Sequence, residues 1–102
     1  MNTSKAASPA MPRVDLTHDA DNDLEEIFDH LAQFDAKNAA AKVREIHREL
    51  GVLAQNPMIG RPLCGDIREL LIGKRPHGYA ARYRYKRGGI VLILSIRSQR
   101  QG

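Results

Sequence analysis

The sequence predicts an α+β fold in which a helical hairpin packs on one face of a small, mainly antiparallel sheet, in the order β-α-α-β-β-β. Three observations lead there. Two successive segments carry apolar residues at spacings of three and four, three later runs are strand-like, and Gly88-Gly89 separates the last two runs. A chain of 102 residues supplies one modest core, so a single domain is expected.

Residues 1–10 are rich in Ser, Ala and Lys and lack the apolar run of a secretory signal; they are expected to form a disordered tail, leaving 11–102 as the domain. From Arg13 to Thr17 apolar and polar residues alternate, as in a short first strand. The first helix is expected from about Asp19 to Phe34, with Ala20, Leu24, Ile27, Leu31 and Phe34 forming one apolar stripe. Asp19, Asp21 and Asp23 crowd its start, where the helix dipole favours carboxylates. Asp35 then caps a second helix, about Ala36 to Gln55, whose stripe is Ala39, Val43, Ile46, Leu50 and Leu53. So short a link makes the two helices an antiparallel hairpin. Gly51 inside the second helix costs about 1 kcal/mol relative to alanine, and close helix packing would account for it. Asn56-Pro57 ends the helix, and residues 57–66, with two prolines and two glycines, read as a loop. Strands are expected over Arg68–Ile72, Tyr79–Arg87 and Ile90–Ser98, the last two joined by a two-residue Gly88-Gly89 turn.

Composition narrows the function classes. Cys64, the single cysteine, has no partner for an internal disulfide and no histidine placed to activate it. His18, His30, His47 and His77 are scattered, no Cys/His cluster has metal-ligand spacing, and no cofactor is implied. No run approaches the roughly 18–20 apolar residues that span a bilayer, so a soluble, cytoplasmic protein is expected. Charge is unevenly divided. Residues 1–58 carry six Lys/Arg against ten Asp/Glu, a balance of −4, whereas residues 59–102 carry ten against two, a balance of +8. A basic half of that size attracts an anionic partner, either nucleic acid or an acidic protein segment.

A two-residue turn would pair Arg87 with Ile90, Tyr85 with Leu92, Tyr83 with Leu94 and Ala81 with Ile96 on one apolar face beneath the helices. The other face would then carry Lys86 beside Val91, Arg84 beside Ile93, Arg82 beside Ser95 and Ala80 beside Arg97. Each helix has a single apolar stripe, so the hairpin covers one side of the sheet and the basic side stays open. Such a face can be simply solvated, its arginines serving solubility. Aliphatics such as Val91 and Ile93 among the cations favour a partner-binding groove.

These residues also form a recognisable series. Asp23-Leu24-Glu25-Glu26-Ile27 resembles the first-helix "DL.EI" of ParE-like toxins, and Leu53–Pro57 with Gly60-Arg61 resembles their "L..nP..GR". Arg68-Glu69-Leu70 resembles their "REL" strand, Gly78-Tyr79 with Arg82-Tyr83-Arg84 their "gY..rYr" strand, and Ile90–Ile96 with Arg100-Gln101 their final strand. The resemblance to the RelE/ParE toxin superfamily runs from about Val14 to Gln101, with five weak motifs in the right order. It implies the toxin of a type II toxin–antitoxin pair, of the kind linked to plasmid stabilisation, acting in growth arrest. It also implies a hetero-oligomer in which a cognate antitoxin lays an acidic C-terminal segment over the toxin's working surface. The expected contact residues are Arg82, Arg84, Lys86, Val91, Ile93, Arg97 and Arg100.

The superfamily divides between RelE-like endonucleases, which cleave mRNA in the ribosome, and ParE-like inhibitors of DNA gyrase. RelE-like members commonly place arginine directly after the tyrosine that opens the third strand, where this chain has Ala80. They also carry a Tyr or His near the C-terminus, whereas this chain ends Arg97-Ser98-Gln99-Arg100-Gln101-Gly102. Such residues are poor proton-transfer groups near neutral pH. His77 and Glu69 are the remaining acid–base candidates. Gyrase inhibition by binding is therefore the expectation, with ribosome-dependent mRNA cleavage and a non-toxic nucleic-acid-binding module as alternatives. One departure from the ParE-like pattern is Ser98, where many members have histidine.

Overall fold

The computed structural model describes residues 12–74, 77–86 and 88–99. Strand β1 (Arg13–Leu16) leads into helix α1 (His18–Ala32), helix α2 (Ala36–Gly51) and a single 3-10 turn (Val52–Ala54). Strands β2 (Arg61–Cys64), β3 (Ile67–Ile72), β4 (Tyr79–Lys86) and β5 (Ile90–Ser98) follow. One five-stranded sheet has the order β1-β5-β4-β3-β2, with β1 parallel to β5 and every other neighbouring pair antiparallel. The helical hairpin lies on one face, as expected. Strand β2 is an addition, lying within the predicted loop. All four of its residues are exposed, so no alternation betrays it, and Pro62 suits an edge strand. The predicted tail, residues 1–10, lies outside the described residues, as do Arg87 and Arg100.

Local chemistry accounts for the helix starts. Thr17 caps α1: its Oγ1 accepts from the Ala20 amide at 3.2 Å and donates to the Ile93 carbonyl at 2.8 Å, tying the helix start to β5. Asp35 caps α2 by accepting from the amides of Lys37 and Asn38. Asp19 and Asp21 occupy the first turn of α1, whereas Asp23 does something else. Its carboxylate accepts from the Ile96 amide at 2.9 Å, on the part of β5 that extends beyond its pairing with β1. The core gathers Ala20, Leu24, Ile46, Leu50 and Leu53 from the helical layer, and Ile72, Ala81, Tyr83, Val91, Ile93 and Ile96 from the sheet. Phe34, predicted to close the α1 stripe, follows the helix end and is 76% exposed.

The β4–β5 hairpin departs from the predicted register over half its length. Lys86, not Arg87, pairs with Ile90, so three residues separate the strands instead of two. Gly88 and Gly89 sit at φ 103° and 100°, conformations that favour glycine. The extra turn residue shifts β5 by one position, and a one-position shift exchanges the faces. Tyr85 therefore lies opposite Val91, Arg84 opposite Leu92 and Tyr83 opposite Ile93. A bulge follows, leaving Leu94 without a paired residue, and from there Arg82–Ser95, Ala81–Ile96 and Ala80–Arg97 pair as predicted. Val91 and Ile93, expected on the open face, are core residues with no exposure. Tyr83 is fully buried and Tyr85 packs against the core, both inward as expected.

Helix α2 ends at Gly51, four residues before its predicted end, and a Cβ at Gly51 would meet nothing within 4 Å. Close packing therefore does not explain this glycine. Gly51→Ala should raise unfolding stability by about 0.5–1 kcal/mol in urea titrations. The register has its own test: Ile93→Ala should cost about 2–5 kcal/mol, and Leu92→Ala about 1 kcal/mol or less. A reversed ranking would restore the two-residue turn.

Candidate functional site

The sheet face away from the helices can be read in rows across its strands. Leu71, Ala80 and Arg97 form the first row, and Arg61, Glu69, Arg82 and Ser95 the second. Ile67, Arg84, Leu92 and Asp15 form the third, and Lys86, Ile90 and Arg13 the fourth. Arg82, Arg84, Lys86 and Arg97 are thus brought together on this face as the sequence suggests. Val91 and Ile93 are not; the shifted register puts Leu92 beside Arg84 instead.

This face is less nakedly cationic than the sequence implies, because most of its guanidinium groups have a carboxylate. Arg84 donates to Asp66 at 2.9 Å and Arg13 pairs with Asp15 at 2.9 Å. Arg61 and Arg82 share Glu69, at 2.8 and 3.4 Å. Arg97 stands 3.7 Å from Asp23. Glu69 is the hub, its side chain only 8% exposed. The hydrogen bonds from Arg61 hold its carboxyl below the usual range; burial pushes the other way, and Arg82 adds a second lowering contact.

Arg61 reaches Glu69 because the preceding loop is fastened from beneath. The buried Tyr83 hydroxyl donates to the Pro57 carbonyl at 2.8 Å and accepts from the Gly60 amide at 2.9 Å. Arg68 donates to the carbonyls of Gly60 and Met58, at 2.8 and 3.2 Å. A Cβ on Gly60 would stand 2.7 Å from the Tyr83 ring and 2.9 Å from the Glu69 carbonyl, so a side chain there has no room. Burial raises the Tyr83 pKa, keeping the hydroxyl a neutral donor. The sequence fragments Gly60-Arg61, Arg68-Glu69 and Tyr83 are therefore parts of one assembly. Arg61 and Asp66 escaped the sequence reading because both lie in the segment read as a loop, where alternation assigns no face.

Two depressions flank the outer strands. On the open face, one of about 420 Å³ is bordered by Arg61, Glu69, Leu71, Ala80, Arg82 and Arg97. The other, about 870 Å³, runs between α1 and the end of β5 and includes Asp23, Glu26, His30 and His77. Glu69 and His77, the two acid–base candidates, thus line different depressions. A carboxylate kept ionised by two arginines is also poorly matched to proton transfer near neutral pH. Among the described residues no cluster of His, Cys, Asp and Glu suits a metal ion, and no helix is long and apolar enough to cross a membrane.

A helical hairpin backing a mixed five-stranded sheet, with a guanidinium-bearing face left open, defines a small α+β protein built around one recognition-sized surface. Residues 14–102 match the family model of the ParE toxin of type II toxin–antitoxin systems, parDE, and the chain belongs to that family. Among solved structures it is similar to a chain of the chromosomal ParDE toxin–antitoxin system from P. aeruginosa. The two are 28% identical with a TM-score of 0.75, over 87% of this chain and 97% of that one. No curated protein matches the chain.

The Glu69 hub carries a pH signature. Its folded pKa lies below the ordinary value of 4.5, so its stabilisation is complete above about that pH and is lost as pH falls through the folded value. Glu69→Gln should destabilise by about 1–2 kcal/mol at neutral pH. In urea denaturation the gap between wild type and variant should close on acidification; a gap that widens would contradict the ion-paired assignment.

Proposed function

We propose that the free protein arrests growth by binding DNA gyrase, without breaking a bond itself, and that a cognate antitoxin silences it through an acidic C-terminal segment laid over the open sheet face. Membership of the ParE family supports the toxin role and the existence of an antitoxin partner. The observation that carries the binding mode is the open face itself: Arg82, Arg84, Lys86 and Arg97 interleave with Leu71 and Leu92, while Tyr79 and Tyr83 turn inward. Cations speed the encounter with an acidic chain, and burial of aliphatics supplies affinity. Inward tyrosines leave no stacking platform for nucleobases, which favours a protein partner over bare nucleic acid. A binding mechanism fits the separation of His77 and Glu69, the acid–base candidates, which line different depressions. A cytoplasmic location goes with these proposed partners.

Expression of the chain alone should cause DNA damage and filamentation, and the purified protein should block gyrase supercoiling. Codon-positioned mRNA cleavage with gyrase unaffected would instead move it to the ribosome-dependent class. The face is tested by Arg84→Glu with Lys86→Glu, which spares the buried Glu69 hub. This pair should weaken antitoxin capture roughly tenfold or more in calorimetry with the circular dichroism spectrum unchanged. Unaltered capture would place the antitoxin elsewhere.

A further inference from the structure

The open face holds a smaller feature that its overall charge does not describe. Ala80 and Ser95 sit on neighbouring strands, each beside the other's flanking cation: Ala80 pairs with Arg97, and Ser95 with Arg82. Two small residues thus form a floor with one guanidinium on either side, diagonal neighbours within reach of a common ligand. Neither guanidinium is saturated. Among the described residues Arg82 donates only through its Nε, at 3.4 Å, leaving its outer nitrogens without a protein acceptor. Arg97 approaches Asp23 no closer than 3.7 Å, and its side chain is 73% exposed. Arg61 and Glu69 close one side of the depression, and Leu71, 46% exposed, offers an apolar surface beside Ala80.

We propose that Arg82 and Arg97, across the Ala80–Ser95 floor, form a clamp for one carboxylate of an extended acidic peptide, with an aliphatic residue two positions further on seated against Leu71. A carboxylate in this seat accepts from both guanidinium forks, the strong form of charge-assisted hydrogen bond. The aliphatic position follows from strand geometry: alternate residues of an extended peptide face the same side about 7 Å apart, and Leu71 lies one strand beyond Ala80. Glu69 takes no part in binding. It holds the neighbouring Arg61 and the Nε of Arg82 in place, so the Arg82 side of the clamp is ordered before a ligand arrives, which lowers the entropic cost of docking. A peptide is favoured over a phosphate backbone because an aliphatic surface borders the seat and carboxylates already offset neighbouring cations.

The clamp rests on the open-face reading above but is tested separately. The probe is the capped tripeptide acetyl-Glu-Ser-Leu-amide, titrated into isotope-labelled full-length protein and followed by amide shifts. Shifts should cluster at Ala80, Arg82, Ser95 and Arg97, and acetyl-Gln-Ser-Leu-amide should bind roughly tenfold more weakly. Arg97→Gln, which removes an exposed charge, and Ala80→Leu, which fills the seat without touching a charge, should each weaken binding by a similar factor. Arg13→Gln, on the fourth row, should leave it unchanged. Undiminished, wild-type binding by the Ala80→Leu and Arg97→Gln variants, or shifts centred elsewhere, would overturn the clamp. So would tighter occupancy of the same amides by inorganic phosphate or a DNA duplex, which would mark a phosphate site. If these tests fail while antitoxin capture still depends on Arg84 and Lys86, the clamp falls alone. If the tripeptide seats as expected while capture ignores those residues, the wider reading falls and the clamp stands.

Discussion

The pairing of β4 with β5 governs what the rest of the molecule can be, because it decides which side chains of the central strands meet the helices. Side chains alternate along a strand, so every single-residue shift exchanges core for solvent. The turn contributes one such shift, which buries Val91 and Ile93 beneath the hairpin. The bulge at Leu94 contributes a second, which returns Ile96 to the core and Arg97 to the open face. Without the bulge Ile96 and Arg97 would change places. The core would gain a guanidinium and the open face would lose one wall of its depression.

The same constraint explains how a sheet holding several arginines folds without isolating a buried charge. The one nearly buried ionised group among the described residues, Glu69, sits between two guanidiniums that themselves reach solvent, so its desolvation is offset where it arises. Beneath it, on the helix-facing side, the neutral hydroxyl of Tyr83 satisfies the backbone of the loop that delivers Arg61. Charge is handled on one face and loop geometry on the other. Gly60 lies at their junction, pressed between the tyrosine ring and the Glu69 carbonyl.

The proposed function rests on that division. A member of the ParE toxin family presents a face where cations are ordered by neighbouring carboxylates and interrupted by leucines. Such a surface is suited to recognition: ordered forks confer geometric specificity, and aliphatics add the affinity that screened surface charges lack. Proton-transfer chemistry has no comparable foundation there, since Glu69 is committed to its arginines and His77 lies on the α1 side.

Periodicity alone determined the helical hairpin, its Asp35 cap, the order of the long strands, the inward tyrosines and the grouping of Arg82, Arg84 and Lys86 on one face of their strand. These are legible because local alternation and helical spacing record which side of an element is buried. Five modest motifs in the right order were likewise enough to point to the toxin family. Tertiary structure alone decided what depends on partners distant in sequence. Strand β2 exists only because β3 offers it hydrogen bonds, and its exposed residues carry no pattern of their own. The fates of Val91 and Ile93 turned on the length of one turn, those of Ile96 and Arg97 on the bulge beyond it, and several nearby aliphatic residues would satisfy either register. The pairing of Arg61 and Arg82 through Glu69 was beyond local reading for the same reason: it joins three strands, and charge counts along a chain do not say which opposite charges will meet.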